Sequence, residues 1–191
     1  RLGYDLIRDV QVLTPTHNGP LGTVELNVAL QPLLQKRLYG ITVPDVDPRR
    51  RPPLYAGDKV IQTRNDYELG VMNGAMGIVL AAQSDGALVV EFDGGAVEIE
   101  AGSDAIGNVQ LAYATSIHKV QGSEFPCAVV IAHKSHAFMH HRNLLYTAVT
   151  RAKESVIILG DRWGIDNCAS KRQVDRRNTF LSFLLHEDSQ R

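Results

Sequence analysis

Residues 113–161 read YATSIHKVQGSEFPCAVVIAHKSHAFMHHRNLLYTAVTRAKESVIILGD, and this stretch predicts an α/β fold. Two runs rich in β-branched side chains, residues 128–131 and 156–159, are typical of strands buried in a parallel sheet. Each run adjoins a polar block, residues 116–124 or 146–153, that is dense in side chains able to contact phosphate. Because ligands of parallel sheets bind at strand ends, we expect the functional residues to lie there.

The composition is that of a globular protein without a strong overall electrostatic field. The chain has 191 residues, 44% of them apolar, and its 20 basic side chains nearly balance its 21 acidic ones. This balance excludes indiscriminate binding to nucleic acid through net charge, so any DNA contact must be local. No apolar run reaches the length of a membrane span, and the two cysteines are too few for a disulfide framework. We therefore expect a cytoplasmic protein that does not bind a membrane.

The N-terminal part predicts a strand, a turn and a helix. Residues 10–13 form a short apolar strand, and a glycine-containing turn, residues 17–22, follows it. The helix is expected to begin at Thr23, a suitable N-cap, and Pro32 is expected to kink or divide it. Its helical spacing comes from the leucines Leu26, Leu30, Leu33, Leu34 and Leu38.

The next segment predicts a small inserted barrel. Residues 43–53 contain four prolines and three consecutive arginines, Arg49, Arg50 and Arg51, and we interpret them as a linker. These arginines could touch phosphates, but solvated charge is the favoured interpretation. Between about residues 54 and 110, four short strands alternate with glycine-containing turns. These predicted strands are residues 59–63, 76–82, 87–92 and 96–100. Because the flanking pieces can complete one sheet without this segment, we interpret it as an insertion.

Alternating α and β elements return after residue 110. The predicted strands are residues 111–114, 128–132 and 156–160, and the predicted helices are residues 143–153 and 174–185. The expected architecture is a parallel α/β domain in two parts, residues 1–53 and 111–191, interrupted by an antiparallel barrel, residues 54–110.

Taken together, several blocks resemble the RecD-like branch of superfamily 1 DNA helicases, which includes the alpha subunit of exonuclease V and conjugative TraA-type proteins. The blocks are residues 11–15 with 19–22 and 26–27, residues 57–67 with 71–74, residues 116–124, and residues 143–153. They are similar, in that order, to the family's fourth motif, the start of its inserted barrel, and its fifth and sixth motifs. The resemblance implies a RecA-like second motor domain of the P-loop NTPase type, interrupted by an SH3-like barrel.

The resemblance gives Arg151, in the sixth-motif block, a catalytic role. In the family this arginine reaches from the second motor domain to a nucleotide held by the first. A guanidinium fixed on a helix can neutralise charge on the γ-phosphoryl oxygens, and its planar shape suits that task. The same block offers Thr147 as a DNA contact. The alternative is a surface arginine on an amphipathic helix.

The fifth-motif block divides into two halves. The first half has hydroxyl, imidazole and ammonium groups that suit a DNA phosphate, and these candidates are Ser116, His118 and Lys119. The resemblance implies that the second half, one helical turn onward, faces the nucleotide through Gln121, Gly122 and Glu124. The alternative is a capped helix with a solvated polar face.

Two other segments are candidate DNA contacts. The turn of residues 14–22 opens a helix, so its amides could hold a phosphate with help from His17 and Asn18, although an ordinary β–α turn explains the sequence equally well. One loop region of the barrel combines a cation, amides and an aromatic ring, which suits single-stranded DNA. Its residues are Arg64, Asn65, Tyr67 and Asn73.

Four histidines between the last two blocks have a spacing that could place metal ligands on one helix face. They are His133, His136, His140 and His141. No cysteine or carboxylate cluster completes the set, so we expect no metal site.

The sequence contains no Gly-Lys pair and hence no phosphate-binding loop. In proteins of the resembled family that loop and the magnesium carboxylate lie upstream, so we expect ATP and Mg²⁺ to bind mainly to an N-terminal motor domain. We expect this chain alone to bind neither and to be inactive as an ATP hydrolase.

The sequence thus indicates the C-terminal part of an ATP-dependent DNA helicase or translocase. The expected partners are single-stranded DNA, the N-terminal motor domain of the same polypeptide and, in some family members, other exonuclease V subunits. Two alternatives remain open: a non-catalytic nucleic-acid-binding module with a motor-like fold, and the motor half of a conjugative relaxase.

Overall fold

The computed structural model describes residues 3–45, 47 and 50–172, which form two β-sheets and four α-helices. The elements are, in chain order, β1 (Val10–Thr14), α1 (Thr23–Tyr39), β2 (Lys59–Gln62), β3 (Met76–Ala82), β4 (Leu88–Phe92), β5 (Gly95–Ile99), α2 (Asp104–Gly107), β6 (Val109–Leu111), β7 (Ala114–Ser116), β8 (Phe125–Ala132), α3 (Arg142–Val149), β9 (Ala152–Gly160) and α4 (Arg162–Ser170). The predicted terminal helix, residues 174–185, lies outside the described residues.

The first sheet is parallel throughout and has the strand order β7-β1-β8-β9. One apolar core lies where the sheet packs against α3 and the loop after β7. Its buried members are Leu13, Ile117, Val120, Phe125, Ala128, Val130, Leu144 and Ala148. The parallel sheet that the β-branched runs predicted is therefore confirmed.

The second sheet is antiparallel, has the order β5-β4-β3-β2-β6, and lies in the chain between α1 and β7. It has its own core, with Val60, Val79, Val90, Ile99 and Val109 each at most 1% exposed. The four strands predicted for the insertion occur within a residue or so of their expected bounds. Short strand-like runs bounded by glycine-containing turns were therefore a sufficient signal for them.

The predicted strand of residues 111–114 is wrong, because two strands of different sheets occupy this region. β6 pairs with β2, with Val60 opposite Leu111, while β7 pairs with β1, with Val12 opposite Ala114. The chain changes sheets across Ala112 and Tyr113, both of which are buried. The apolar run of residues 111–114 carries no signal that the chain changes its pairing partner. The expected barrel boundary at residue 110 therefore falls inside β6.

Helix α1 is continuous through Pro32, so the expected division does not occur, and its N-cap is Gly22 rather than Thr23. The leucines are not its most buried face: Leu33 is 66% exposed, whereas Gln31 is 1% exposed. The deepest positions recur every four residues and are polar, namely Thr23, Asn27, Gln31 and Gln35. A polar face can be buried only if its groups find hydrogen-bond partners.

Those partners come from the start of the barrel. Gln31 and Gln35 donate to the two carboxylate oxygens of Asp58 over 2.6 and 2.7 Å, and the Tyr113 hydroxyl donates to the same carboxylate over 2.6 Å. Asp58 is 0% exposed, and burial raises the pKa of its carboxyl although these hydrogen bonds oppose the rise. This network fixes the barrel to α1.

The next residue, Lys59, joins the barrel to β1 and β8 of the parallel sheet. Its Nζ donates to the carbonyl oxygen of Val10 over 3.1 Å and lies 5.5 Å from the centre of the Phe125 ring. Burial lowers the pKa of Lys59 to about 8. Two consecutive buried residues thus hold the start of the barrel, Asp58 against α1 and Lys59 against the parallel sheet. Within the described residues, none of the helices has the length and apolar character needed to cross a bilayer.

Candidate nucleic-acid and nucleotide interface

A groove of about 320 Å³ lies at the carboxyl ends of β1 and β7, between the first half of α1 and the barrel. The parallel sheet and its loops contribute His17, Ser116 and Lys119 to the rim. The floor is apolar and is formed by Val24, Val28, Leu54, Ile61 and Leu111. The described residues that line the groove include no acidic side chain. A cationic rim above an apolar floor suits a ligand that carries both phosphate and a flat apolar surface.

Two arginines of the linker also line this groove, Arg50 and Arg51. Arg51 donates hydrogen bonds to the carbonyl oxygens of Ile106 and, over 2.8 Å, Val109. Partial burial lowers the pKa of Arg51 and also that of Lys119. Arg51 is exposed, as expected for linker charge, but its guanidinium is also tied to the barrel beside the groove. The arginine run was the available signal, but only the fold shows that the linker returns to the groove.

The turn before α1 is stabilised by hydrogen bonds between its own backbone and the first residues of the helix. The amides of Thr23 and Val24 donate to the carbonyl oxygens of Thr16 and His17 over 3.1 and 3.2 Å, so these two helix-start amides already have partners. The His17 ring nitrogen Nδ1 lies 2.7 Å from the Thr23 hydroxyl. A phosphate would therefore meet the exposed side chains of His17 and Asn18 rather than a cradle of free amides.

The second half of the fifth-motif block reaches the opposite end of the parallel strands from the groove. Residues 117–122 form successive turns rather than the capped helix of the alternative interpretation, and Ile117 and Val120, each 1% exposed, anchor them in the core. Gly122 has a φ of +94°, which favours glycine. The exposed residues Gln121 and Glu124 lie just before β8 begins. The loop thus runs from the carboxyl end of β7 to the amino end of β8.

Arg151 lies beside the end of this loop. The predicted helix to residue 153 is wrong: α3 ends at Val149, and β9 begins at Ala152 opposite Phe125. The short connection places Arg151 in a turn, where its carbonyl oxygen accepts a hydrogen bond from the Phe125 amide over 2.8 Å. The residue pattern of this segment is compatible with a helix to residue 153, so it does not indicate where the helix ends. The pairing of β9 with β8 ends it.

The Arg151 guanidinium is half-buried and makes three hydrogen bonds. It donates from Nε to the Thr147 carbonyl oxygen over 3.2 Å, from Nη1 to the Ser123 carbonyl oxygen over 3.1 Å, and from Nη2 to the Thr150 hydroxyl over 3.2 Å. A guanidinium has five N–H donors. Two donors are therefore left over from the described contacts, one on each terminal nitrogen, and these can meet an anion.

Other sequence candidates do not line the groove. Thr147 is half-buried on α3, where its hydroxyl donates to the Asn143 carbonyl oxygen over 2.8 Å and its own carbonyl oxygen accepts from Arg151. His118 is exposed but does not line the groove. Arg64 and Asn73 belong to a barrel loop in which the Asn65 side chain accepts a hydrogen bond from the Asn73 amide over 2.8 Å. The structure does not bring these residues to the groove.

The histidine run does not assemble into a metal-ligand cluster. His136 is 2% exposed and His140 is 1% exposed, and burial lowers the pKa of both rings. In the part of the chain that the structure describes, no group of three or more His, Cys, Asp or Glu side chains is arranged to hold a metal ion.

Comparison with known proteins assigns these parts to helicases. Residues 111–159 match the family model of the UvrD-like helicase C-terminal domain, and residues 26–92 match that of the ATP-dependent RecD-like DNA helicase SH3 domain. The fold is similar to a Pif1 helicase from Candida albicans, with a TM-score of 0.55, 15% identity and coverage of 100% of this chain and 51% of that one. A Bacteroides Pif1 helicase in complex with ADP-AlF3 and single-stranded DNA gives a TM-score of 0.50 at 19% identity, covering 94% of this chain and 45% of that one.

The sequence has relatives among curated proteins. The ATP-dependent RecD2 DNA helicase of Deinococcus radiodurans is 40% identical over 90% of this chain and 23% of its own length. The RecBCD enzyme subunit RecD of Mycobacterium tuberculosis is 36% identical over 64% of this chain and 21% of its own length. The chain therefore spans about a quarter or less of the relatives that it matches.

The fold and the two family models define the chain as a helicase-type RecA-like domain with an inserted SH3-like barrel. Within that class, it belongs with the RecD-like DNA helicases, over the part that carries their C-terminal helicase domain and SH3 domain. The fold class and the family resemblance drawn from the sequence blocks are confirmed.

Proposed function

We propose that this chain supplies one wall of a single-stranded DNA track and an arginine finger to an ATP-driven DNA motor. DNA phosphates contact His17, Ser116 and Lys119 around the groove, with Asn18, His118, Thr147, Arg64 and Asn73 as outer contacts. Arg151 acts on the nucleotide, and Gln121, Gly122 and Glu124 face the same ligand. The motor-like parts are residues 1–53 and 111–191, and the barrel is residues 54–110.

The observation that carries this proposal is the loop of residues 117–124, which joins the two candidate sites. It begins beside Ser116 at the groove, and its Ser123 carbonyl oxygen holds the Arg151 guanidinium. A single loop in contact with both sites can couple nucleotide chemistry to movement of the strand.

Nucleotide and metal binding are assigned to another motor lobe. The two N–H donors left on Arg151 fit an oxygen of a phosphoryl group, whereas the sequence has no phosphate-binding loop. When bound to that lobe with Mg²⁺, ATP supplies the phosphoryl transfer that drives the motor. The chain alone is inactive in this proposal, and the relatives named as RecBCD subunits make assembly with further subunits a partner hypothesis.

Trans-complementation tests the proposal. The chain is mixed with an N-terminal RecD-like motor half that carries the phosphate-binding loop, and ATP hydrolysis is measured with and without oligo(dT). We expect DNA-stimulated hydrolysis with the unmodified chain and a loss on the order of 10³-fold with Arg151→Ala, as for other arginine fingers. The control is Arg162→Ala, because the Arg162 side chain is 96% exposed and makes a surface ion pair with Asp166. Equal turnover with the Arg151 and Arg162 variants removes Arg151 from its role.

The binding-module alternative predicts a different outcome of the same experiment. A chain that binds oligo(dT) but never stimulates hydrolysis is a binding module, and one that does neither contradicts the whole proposal.

A further inference from the structure

The connection between β8 and α3 contains a buried histidine to which the proposed function gives no role. The His136 ring nitrogen Nε2 lies 3.0 Å from the carbonyl oxygen of Pro20. Because a carbonyl oxygen only accepts, the ring donates from Nε2. Burial lowers the pKa of His136, so the ring is neutral at physiological pH and Nδ1 carries no proton. That nitrogen is buried and has no partner in the described part of the chain.

The carbonyl that His136 holds belongs to the turn before α1, residues 15–22, which contains a strained residue. Leu21 has a φ of +60°, in the left-handed region that a leucine side chain disfavours. The Leu21 carbonyl oxygen accepts a hydrogen bond from the Thr14 hydroxyl over 2.7 Å. Two successive carbonyl groups are therefore held by two side chains, one at the end of β1 and one beyond the end of β8.

The spacing at Gly22 shows how tightly the turn is folded. A Cβ atom there would lie 2.7 Å from the His17 carbonyl oxygen, which is closer than real contacts allow. The backbone of residues 17–22 therefore has little room to shift unless the two carbonyl anchors release it. The side chain of His17, which lines the groove, takes its direction from this turn.

We infer that His136 is a positioning residue that fixes the turn of residues 15–22, and with it His17, relative to the segment that leads into α3 and Arg151. The inference rests on the proposed function, because it assumes that the turn meets DNA. His136 acts through the Pro20 carbonyl and does not touch the ligand itself. It gives the groove and the arginine a second connection, separate from the loop of residues 117–124.

The first test measures the turn without any ligand. Hydrogen–deuterium exchange of residues 15–24 is compared among the unmodified chain, His136→Phe and His136→Gln, with His140→Phe as the matched control. His140 is equally buried on the same connection, but its Nδ1 contacts Asn167 rather than the turn. We expect faster exchange of the Gly22, Thr23 and Val24 amides in His136→Phe, no change there in His140→Phe, and recovery in His136→Gln, whose amide can donate.

Equal exchange of the turn in all four proteins overturns the inference. If His136→Phe does not fold, the protonation state of the ring decides: nitrogen-15 spectra of the unmodified chain are expected to show a proton on Nε2 that exchanges slowly. A proton on Nδ1 instead overturns the inference, because such a ring cannot donate to Pro20.

The second test measures binding of fluorescent oligo(dT). We expect His136→Phe to weaken binding roughly fivefold to tenfold, at the low end of couplings between linked sites, and His136→Gln to restore it. If the unmodified chain binds and His136→Phe binds equally well, the positioning role is wrong while the proposed function stands. If the unmodified chain does not bind, the DNA role itself fails, and the exchange experiment still decides whether His136 holds the turn.

Discussion

The Arg151 guanidinium donates a hydrogen bond from Nη1 to the carbonyl oxygen of Ser123 over 3.1 Å. The arginine that we propose for the nucleotide is therefore held by the loop that begins at the groove proposed for DNA. A displacement of that loop would change the direction of the guanidinium, since no rigid helix carries Arg151. The contact makes the shape of the side chain as important as its charge.

We predict that Arg151→Lys is nearly as defective as Arg151→Ala in stimulating ATP hydrolysis by a partner lobe. A single ammonium cannot satisfy the Thr147, Ser123 and Thr150 oxygens and still reach a phosphoryl group. Trans-complementation assays check this, with oligo(dT) affinity expected to remain unchanged. Near-normal hydrolysis with lysine would show that charge alone suffices.

A second prediction concerns Lys119 at the rim of the groove. If its ammonium neutralises one phosphate, Lys119→Ala should reduce the slope of log affinity against log salt by about 0.7 for single-stranded DNA. Fluorescence anisotropy with oligo(dT) at several salt concentrations measures this slope. Lys36→Ala is the control, because Lys36 is exposed in the last turn of α1, away from the groove. Equal slopes for both variants would place the DNA elsewhere.

The third prediction concerns the Asp58 network. Each carboxylate oxygen accepts two hydrogen bonds. Oδ1 accepts from Gln35 and the Tyr113 hydroxyl, and Oδ2 accepts from Gln31 and the Tyr55 amide. Asp58→Asn turns one acceptor into a donor that faces two donors, and we expect the free energy of unfolding to fall by roughly 2–4 kcal/mol. Urea denaturation measures this, with the exposed Asp93→Asn as the control. A change below the experimental error would show that the network adds nothing to stability.

The fourth prediction concerns the pH dependence of stability. Lys59 has its pKa lowered from 10.5 to about 8 by burial, so the unfolded chain binds more protons between these two values. The contribution of Lys59 to the free energy of unfolding should therefore increase as the pH rises from 8 to 10.5, by at most about 1.4 kcal/mol per pH unit. Below pH 8 the buried charge is destabilising in full.

The measurement is urea denaturation across this range, with Lys59→Met as the comparison. The rise that belongs to Lys59 is the difference between the two proteins, because the other titrating groups are common to both. Parallel curves for the two proteins would mean that Lys59 keeps its ordinary pKa in the folded chain.

Part of the site was predictable because it depends on local composition. The blocks containing Ser116, Lys119 and Arg151 were recognisable from their residue types and order, and two of the three line one groove. The sequence allowed a phosphate contact for Arg51 but did not indicate that it would join this groove, since its proline-rich surroundings gave no signal for where the linker returns. It also left His136 without a role, because its partner Pro20 is more than a hundred positions away in the chain.

The amino-acid sequence by itself determined the parallel sheet, the inserted barrel and the family, because runs of β-branched residues, alternating strands and ordered motif blocks are properties of neighbouring residues. Tertiary structure alone decided that α1 buries Gln31 and Gln35 rather than Leu33, because buried amides need the Asp58 carboxylate of the barrel. It also decided where α3 stops and Arg151 turns, because pairing of β9 with β8 ends the helix. Such outcomes depend on contacts between distant segments, which no local pattern encodes.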